Sequence, residues 1–205
     1  MSSRIEPLQT IRGRAVGLEA QNIDTDQIVP ARFLYRNRAD GFADTLFRDM
    51  RLDANGHKNP YFVLNRPDAE GAEIMVALDN FGYGSSREHA VWALMDAGFR
   101  VVIAVSFGDI FYNNALENGL LPVVLEEQQV SLILDRLKSG QTVVEVDLKA
   151  QFVTLSDRMC FRFRIDQVAR ENLLLGRGKI ESTLALRSEI EQFENIYAEH
   201  YPWAK

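Results

Sequence analysis

Cysteine and histidine are scarce in this 205-residue chain, which contains one cysteine, Cys160, and three histidines. A single cysteine excludes an intrachain disulfide, and one thiolate cannot anchor an iron–sulfur cluster, which usually needs several. His57, His89 and His200 are far apart in the sequence and lack the spacing of zinc ligands. Any metal chemistry would therefore have to come from another chain, and a reducing cytoplasm is the expected location.

Long apolar runs, a basic surplus and an export signal are also lacking. No stretch of about 18 apolar residues predicts a membrane span, and the first residues, MSSRIEP, do not predict export. The net charge of −6 disfavours nucleic acid as a partner, because phosphates require a basic surface. The length predicts a single domain over residues 1–205, with a C-terminal appendage at about 166–205.

Short apolar runs alternate with helix-like segments in the middle of the chain. Strands are predicted at 74–78, 101–105 and 120–125, and helices at 85–97, 109–118 and 126–138. This order predicts an α/β layer whose strands are at least partly parallel.

The regions on either side of this layer have a different character. Residues 11–18 predict a strand, residues 142–165 predict a β-rich flank, and the polar, turn-rich residues 36–60 predict a surface excursion. A C-terminal helix is predicted from the spacing of Leu186, Ile190, Phe193 and Tyr197.

A glycine–serine loop between a predicted strand and a predicted helix carries the strongest chemical signal. Residues 80–90 read NFGYGSSREHA, in which Gly82 and Gly84 permit a positive φ or a close backbone approach. Ser85 and Ser86 are predicted at the start of the helix, where free amides and the helix dipole favour an anion. Arg87 adds a guanidinium that suits a carboxylate. Together these groups predict a site for a small carboxylic acid.

Other interpretations of the same loop must be weighed. Ser85 and Glu88 also fit a capping box, which an ordinary helix would use, although Arg87 in a first helical turn is unfavourable with the helix dipole. A dinucleotide fingerprint would need a third glycine where Arg87 stands. A Ser–His hydrolase based on Ser85 and His89 lacks an identifiable orienting carboxylate, so His89 is interpreted as a packed helix residue.

A second polar loop lies at residues 22–34, which read NIDTDQIVPARFL. Asp24 and Asp26 alternate with Thr25 before Pro30. Taken alone, each aspartate is typical of an Asx-type turn with a solvated carboxylate, and two aspartates do not make a cation site.

These two segments, with SFGDIFYNNALENGLLPV at 106–123, resemble the aconitase superfamily and, within it, the small subunits of bacterial 3-isopropylmalate dehydratases. The resemblance covers nearly the whole chain in order. It implies an aconitase-type swivelling β/β/α domain that corresponds to the fourth domain of aconitase. Many relatives carry cysteine where Tyr83 stands and proline where Val91 stands, neither of which is a catalytic position.

The resemblance also implies a hydro-lyase of leucine biosynthesis, active only with a large subunit that carries a 4Fe–4S cluster; this chain would bind no metal. By analogy Ser85 is the base that takes the substrate proton, and Ser86 and Arg87 bind a substrate carboxylate. Thr25 and Asp26 match the loop that lines the same cavity.

The segment after this loop would face the variable part of the substrate. Arg32, Phe33 and Leu34 are placed there, and the two apolar side chains suit an isopropyl group, although they equally fit core residues. Three alternatives to the dehydratase stay open. They are a related hydro-lyase acting on citraconate or another short branched hydroxydiacid, a non-catalytic carboxylate-binding module, and a self-contained hydrolase.

Overall fold

The computed structural model of the chain describes residues 5–84, 87–201 and 203, without the side chain of Lys179. Within these residues seven strands form one sheet in the order β4-β3-β2-β1-β5-β6-β7. The strands are β1 (Thr10–Leu18), β2 (Ala72–Ala77), β3 (Val101–Ala104), β4 (Leu121–Val124), β5 (Val143–Asp147), β6 (Phe152–Leu155) and β7 (Cys160–Arg162).

The sheet is mixed. Strands β1 to β4 are parallel to one another, whereas β5 pairs antiparallel with β1 and is extended by β6 and β7. The predicted α/β layer with parallel strands and a β-rich flank is therefore confirmed.

Helices cover the sheet and extend beyond it at the C-terminus. They are α1 (Thr25–Ile28), α2 (Arg48–Arg51), α3 (Glu88–Asp96), α4 (Asp109–Asn118), α5 (Glu127–Lys138), α6 (Gln167–Leu175), α7 (Lys179–Ala185) and α8 (Arg187–His200). Short 3₁₀ turns lie at Ala31–Phe33, Arg38–Asp40, Ala43–Thr45, Val63–Asn65 and Pro67–Ala69. In the part of the chain that the structure describes, we find no helix long and apolar enough to cross a membrane.

The parallel strands are apolar on both faces because both faces are covered. In β2, Met75 and Ala77 belong to a core shared with α3, α4 and the segment 19–71. Ile74 and Val76 belong to a second core shared with α5, α6 and strands β5 to β7. The two cores hold the parallel strands between them, so the loops that follow these strands start from a rigid edge.

The expectation that residues 36–60 form a surface excursion is wrong in part. Phe42, Leu46 and Phe47 are buried and belong to the same core as α3. Most of the polar side chains of this segment face solvent, and one of them, Arg38, forms a bidentate pair with Asp96 at 2.7 and 2.8 Å. The apolar residues are too sparse for a periodic pattern, because short 3₁₀ turns rather than one long helix present them to the core.

Candidate active site

The loops that follow β1, β2 and β3 meet at the carboxyl edge of the parallel sheet, which is where open α/β sheets bind ligands. Backbone hydrogen bonds join the first two loops, from Asn22 N–H to Asp79 C=O at 3.0 Å and from Gly82 N–H to Ile23 C=O at 2.7 Å. The loops after β1 and β2 therefore form one structural unit.

The loop after β3 is fixed to the loop after β2 by a serine. The Ser106 hydroxyl donates to Asp79 Oδ1 at 2.6 Å and accepts from the Asn80 amide at 2.9 Å. The Phe81 amide also donates to the Ser106 carbonyl at 3.0 Å. These hydrogen bonds of Ser106 were not predicted from the sequence. The available signal was that both Asp79 and Ser106 closely follow buried parallel strands.

The loop after β1 ends in a capped helical turn. Asp24 Oδ1 accepts from the Gln27 amide at 2.7 Å, and Gln27 Oε1 accepts from the Asp24 amide at 2.9 Å, so Asp24 completes a capping box. This agrees with the Asx-type role expected of Asp24. Thr25, whose side chain is buried, donates its amide to Tyr83 C=O at 3.0 Å. The start of the turn is therefore fixed both by its own cap and by the second loop.

The glycines of the second loop adopt the backbone conformation predicted for them. Gly82 has φ +73° and Gly84 has φ +101°. A Cβ atom on Gly82 would lie 2.3 Å from Cγ of Phe111, so only glycine fits there without displacing the ring. Gly84 faces Thr25, whose Oγ1 would be 3.7 Å from an added Cβ. The second loop is thus closely packed on α4 on one side and approaches the first loop on the other.

Arg87 and Asp26 join the two polar loops. Arg87 Nη1 donates to Asp26 Oδ1, across 61 positions of sequence. The Arg87 side chain is 19% exposed and the Asp26 side chain 55% exposed, so the pair lies at the surface with the guanidinium more enclosed. The structure therefore brings together two of the motifs that carry the family resemblance.

Ser85 and Ser86 lie outside the described residues. Their neighbours on both sides, Gly84 and Arg87, belong to the edge described above. The roles predicted for the two serines therefore stay predictions.

The predicted helix start is wrong by three residues. Helix α3 begins at Glu88, and Arg87 is its N-cap residue, with extended φ −108° and ψ 100°. Glu88 is thus the first residue of the helix rather than the third residue that a capping box requires, and the capping role considered for Ser85 lies outside the described residues. Its carboxylate instead accepts from Asn118 Nδ2 at 2.7 Å, and Asn118 Oδ1 accepts from the Trp92 indole at 3.0 Å. This contact with α4 fixes where α3 begins.

His89 is a packed residue, as its position suggested. Its ring is 5.3 Å from that of Phe42, edge to face, and 4.7 Å from that of Trp92, measured between centroids. Burial lowers the pKa of His89 below its usual value, with the Glu88 carboxylate opposing this shift and the Arg87 charge adding to it. An imidazole packed between aromatic rings is a structural group here, so a Ser–His hydrolase gains no support.

Arg32 and Phe33 belong to a cluster of charged and aromatic side chains close to α2. Arg32 Nη1 donates to Asp49 Oδ2 at 2.7 Å, and Nη2 donates to Asp49 Oδ1. This hydrogen bonding lowers the pKa of Asp49. The half-buried Phe33 ring lies under two guanidinium groups, 4.7 Å from that of Arg32 and 5.4 Å from that of Arg36. Leu34, which follows, is also half-buried. Sequence reasoning missed Asp49 and Arg36, which hold this turn.

The described residues do not include a set of metal ligands. Among them, no group of three or more His, Cys, Asp or Glu side chains could hold an ion. Cys160 lies on the edge strand β7, three strands from β1 in the sheet. The donor set of the carboxyl edge, a guanidinium with a carboxylate and a threonine, suits an organic anion rather than an iron–sulfur cluster.

Comparison with known proteins identifies relatives over most of the chain. The family model of the aconitase C-terminal domain matches residues 5–128. The 3-isopropylmalate dehydratase small subunit of Phenylobacterium zucineum is 47% identical over 199 residues, which cover 97% of this chain and 98% of the relative. The small subunit of the same name from Caulobacter vibrioides is 47% identical and covers 93% and 95%. A crystal structure of 3-isopropylmalate dehydratase from Methanocaldococcus jannaschii is similar in fold, with a TM-score of 0.64, 27% identity and coverage of 90% and 99%.

Proposed function

This chain belongs to the aconitase C-terminal domain family and, within it, to the small subunits of 3-isopropylmalate dehydratase, and on that premise we propose which of its residues act in the reaction. The enzyme interconverts 2-isopropylmalate and 3-isopropylmalate through 2-isopropylmaleate, by loss and readdition of water. The observation that carries the proposal is the contact of Arg87 with Asp26. It joins the two conspicuous polar loops at the edge where α/β sheets bind ligands.

Arg87 binds a carboxylate of the substrate, together with Ser86. A guanidinium has five N–H donors, so a contact to Asp26 through Nη1 leaves others for a substrate carboxylate. Asp26 orients the guanidinium, and the buried Thr25 holds the loop of Asp26 against the second loop through the hydrogen bond from its amide to Tyr83 C=O. Because Arg87 is mostly enclosed, its charge is less screened by water than that of an arginine on the open surface.

Ser85 takes the proton from the carbon next to the one that carries the hydroxyl. The C–H electron pair becomes the new C=C bond as the C–O bond breaks, and the departing hydroxide takes a proton from solvent to become water. A serine is a poor base in water, so this role requires positive charge close to the alkoxide. Arg87, two residues further along the chain, supplies such a charge.

The isopropyl group of the substrate lies against Phe33 and Leu34. The ring of Phe33 is held under two guanidinium groups, those of Arg32 and Arg36, and Arg32 is itself held by Asp49. A held ring makes a defined apolar wall, and each methylene that it accommodates is worth about 1–3 kcal/mol of discrimination.

The partner is the large subunit, and it carries the 4Fe–4S cluster. When bound, that cluster supplies a Lewis acid for the departing hydroxyl. The chemistry of this chain's residues supports the division of labour, since the carboxyl edge offers groups that bind and deprotonate an acid. The complex is cytoplasmic, which agrees with a chain that has one thiol and no means to form an internal disulfide.

Reconstitution tests the proposal. The chain is purified alone, assayed for iron and for formation of 2-isopropylmaleate from 2-isopropylmalate, and then mixed anaerobically with the cognate large subunit. We expect neither iron nor turnover in the chain alone and full turnover in the mixture. Iron bound to the chain alone, or turnover without a partner, would contradict the proposal.

Substrate choice is tested in the same mixture. Values of kcat/KM for 2-isopropylmalate and for 2-methylmalate, whose dehydration gives citraconate, are compared with those of a Phe33→Ala variant. We expect the native complex to prefer the isopropyl substrate and the variant to lose part of that preference. A native preference for the methyl substrate would instead favour the related hydro-lyase.

A further inference from the structure

Exposed apolar side chains are concentrated in the C-terminal segment, which we define as the described residues 166–201 and 203. Of 18 large hydrophobic residues that are exposed in the described chain, 11 lie in this segment. A concentration of this kind on one part of a soluble protein marks an interaction surface more often than scattered single residues do.

Helix α8 and its N-cap residue place four of these residues on one face. Leu186, Ile190, Phe193 and Tyr197 follow helical spacing, and their exposed fractions range from 37% to 65%. The rings of Phe193 and Tyr197 stack with centroids 5.8 Å apart, and Tyr201 follows at 4.8 Å. Over 14 residues this apolar face is about 21 Å long. No residue of α8 within the described chain is buried, so the face is uncovered in the free subunit.

The charges of α8 argue against a second copy of the chain as the occupant. The helix carries four glutamates against one arginine, Arg187, and two of them, Glu189 and Glu194, border the apolar face. Pairing two such helices would bring like charges together, in a chain whose net charge is already −6. The surface therefore fits an apolar groove that is bordered by basic side chains.

The part of this chain that its relatives match also points to a partner other than a second copy. The model of the aconitase C-terminal domain ends at residue 128, whereas the Phenylobacterium zucineum small subunit matches 97% of this chain and so includes most of the C-terminal segment. The C-terminal segment thus lies outside the region that the domain model matches and largely inside the region that a separate small subunit matches. A separate chain must find its partner without a covalent tether and needs enough interface to offset the entropy of association.

From these observations we propose that the apolar face of α8 docks into a basic-rimmed groove of the large subunit and provides affinity for the complex outside the active site. The inference rests on the proposed function, because it takes the large subunit as the partner. An amphipathic helix laid into a groove is a common mode of recognition, with anchors at the spacing seen here.

The test is a titration of a fixed amount of cluster-loaded large subunit with the full-length chain, read as dehydratase activity and, separately, as complex formation by sedimentation. Phe193→Asp places a charge in the apolar face, and Phe193→Ser removes the ring without adding charge. Asn195→Asp is the matched control, because it adds the same charge on the opposite side of α8. Phe193 is 65% exposed, so these variants should melt like the native chain.

We expect Phe193→Asp to raise the half-saturating concentration of the chain at least 10-fold, as for an interface hot spot. Phe193→Ser should have a smaller effect in the same direction, and Asn195→Asp almost none. Activity at saturation should be unchanged in all three, because the face is outside the active site.

Each contrary result has a distinct meaning. If the native chain neither binds nor activates the large subunit, the proposed function fails and the inference fails with it. If the native chain activates but Phe193→Asp does so at the same concentration, the inference alone is wrong. If Phe193→Asp only converts a self-associated native chain into monomers, the occupant is a second copy and the inference is overturned.

Discussion

Replacing Arg87 with lysine separates a substrate-binding role from a structural one. In the structure Arg87 pairs with Asp26, but the Asp26 side chain is 55% exposed. An ion pair open to water is worth about 0–1 kcal/mol. Lysine keeps the positive charge, so Arg87→Lys should cost about 1 kcal/mol of stability at most. In a chain of this length that corresponds to a fall in Tm of about 2–4 °C.

The effect of Arg87→Lys on substrate affinity should be larger than its effect on stability. A hydrogen bond to a charged group contributes about 1.5–3 kcal/mol, and the point charge of lysine cannot reproduce the two parallel N–H bonds of a guanidinium. Losing one such bond weakens binding about 10- to 150-fold. We therefore expect a rise of that size in KM for 2-isopropylmalate and in the Kd of a competitive dicarboxylate inhibitor, both measured on the reconstituted complex.

Arg12→Lys is the matched control. Arg12 lies in the amino-terminal half of β1, away from the carboxyl edge of the sheet. It pairs with Glu145 at 3.6 Å, and its side chain is 73% exposed. Arg12→Lys should leave both the Tm of the chain and the KM of the reconstituted complex unchanged. A collapse of melting in Arg87→Lys would make Arg87 a structural residue, and an unchanged KM in a variant that docks normally would refute its role in binding.

Other predictions concern the serines, the glycine loop and the packed histidine. Ser85→Ala should lower kcat by about 10²- to 10⁴-fold with KM nearly preserved, whereas Ser86→Ala should mainly raise KM; near-native turnover of Ser85→Ala in the assembled complex would remove the base assignment. Gly82→Ala should destabilise the chain by more than about 2 kcal/mol in urea unfolding, since it adds overpacking to the strain of a positive φ. Gly56→Ala, at φ +82° in open space, should show the strain alone, and equal losses would contradict the packing argument. Burial lowers the pKa of His89, so the unfolded chain binds a proton at higher pH than the folded chain; stability should fall as the pH drops below 6.5, and His89→Gln should lose less there.

Structural features that depend only on residues close together in the sequence could be predicted well. The apolar runs at 101–105 and 120–125 are found as β3 and β4, because a strand buried on both faces is apolar throughout. Residue type indicated that Gly82 and Gly84 can adopt a positive φ, and both do so. The family resemblance also depended on ordered motifs along the chain, and the relatives bear it out.

The errors arose where a distant partner decides the local structure. The predicted helix start at Ser85 is wrong, because Arg87 is extended and the helix begins at Glu88, whose carboxylate contacts Asn118 of α4. Residues 36–60 were predicted to form a surface excursion, yet Phe42 and Phe47 are fully buried in the core against α3. No local pattern encodes such contacts, since they depend on how separate elements pack.

The sequence by itself determined the order of strands and helices, the glycine turn and the set of groups available for chemistry, because periodicity, backbone freedom and side-chain type are properties of short segments. Only the tertiary structure decided that Arg87 meets Asp26 across 61 residues, and that Ser106 joins the loops after β2 and β3. It also decided that the apolar face of α8 stays uncovered. The reason is physical: parallel strands bring their carboxyl ends to one edge whatever the length of chain between them, and an amphipathic helix is buried only where another surface is available to cover it.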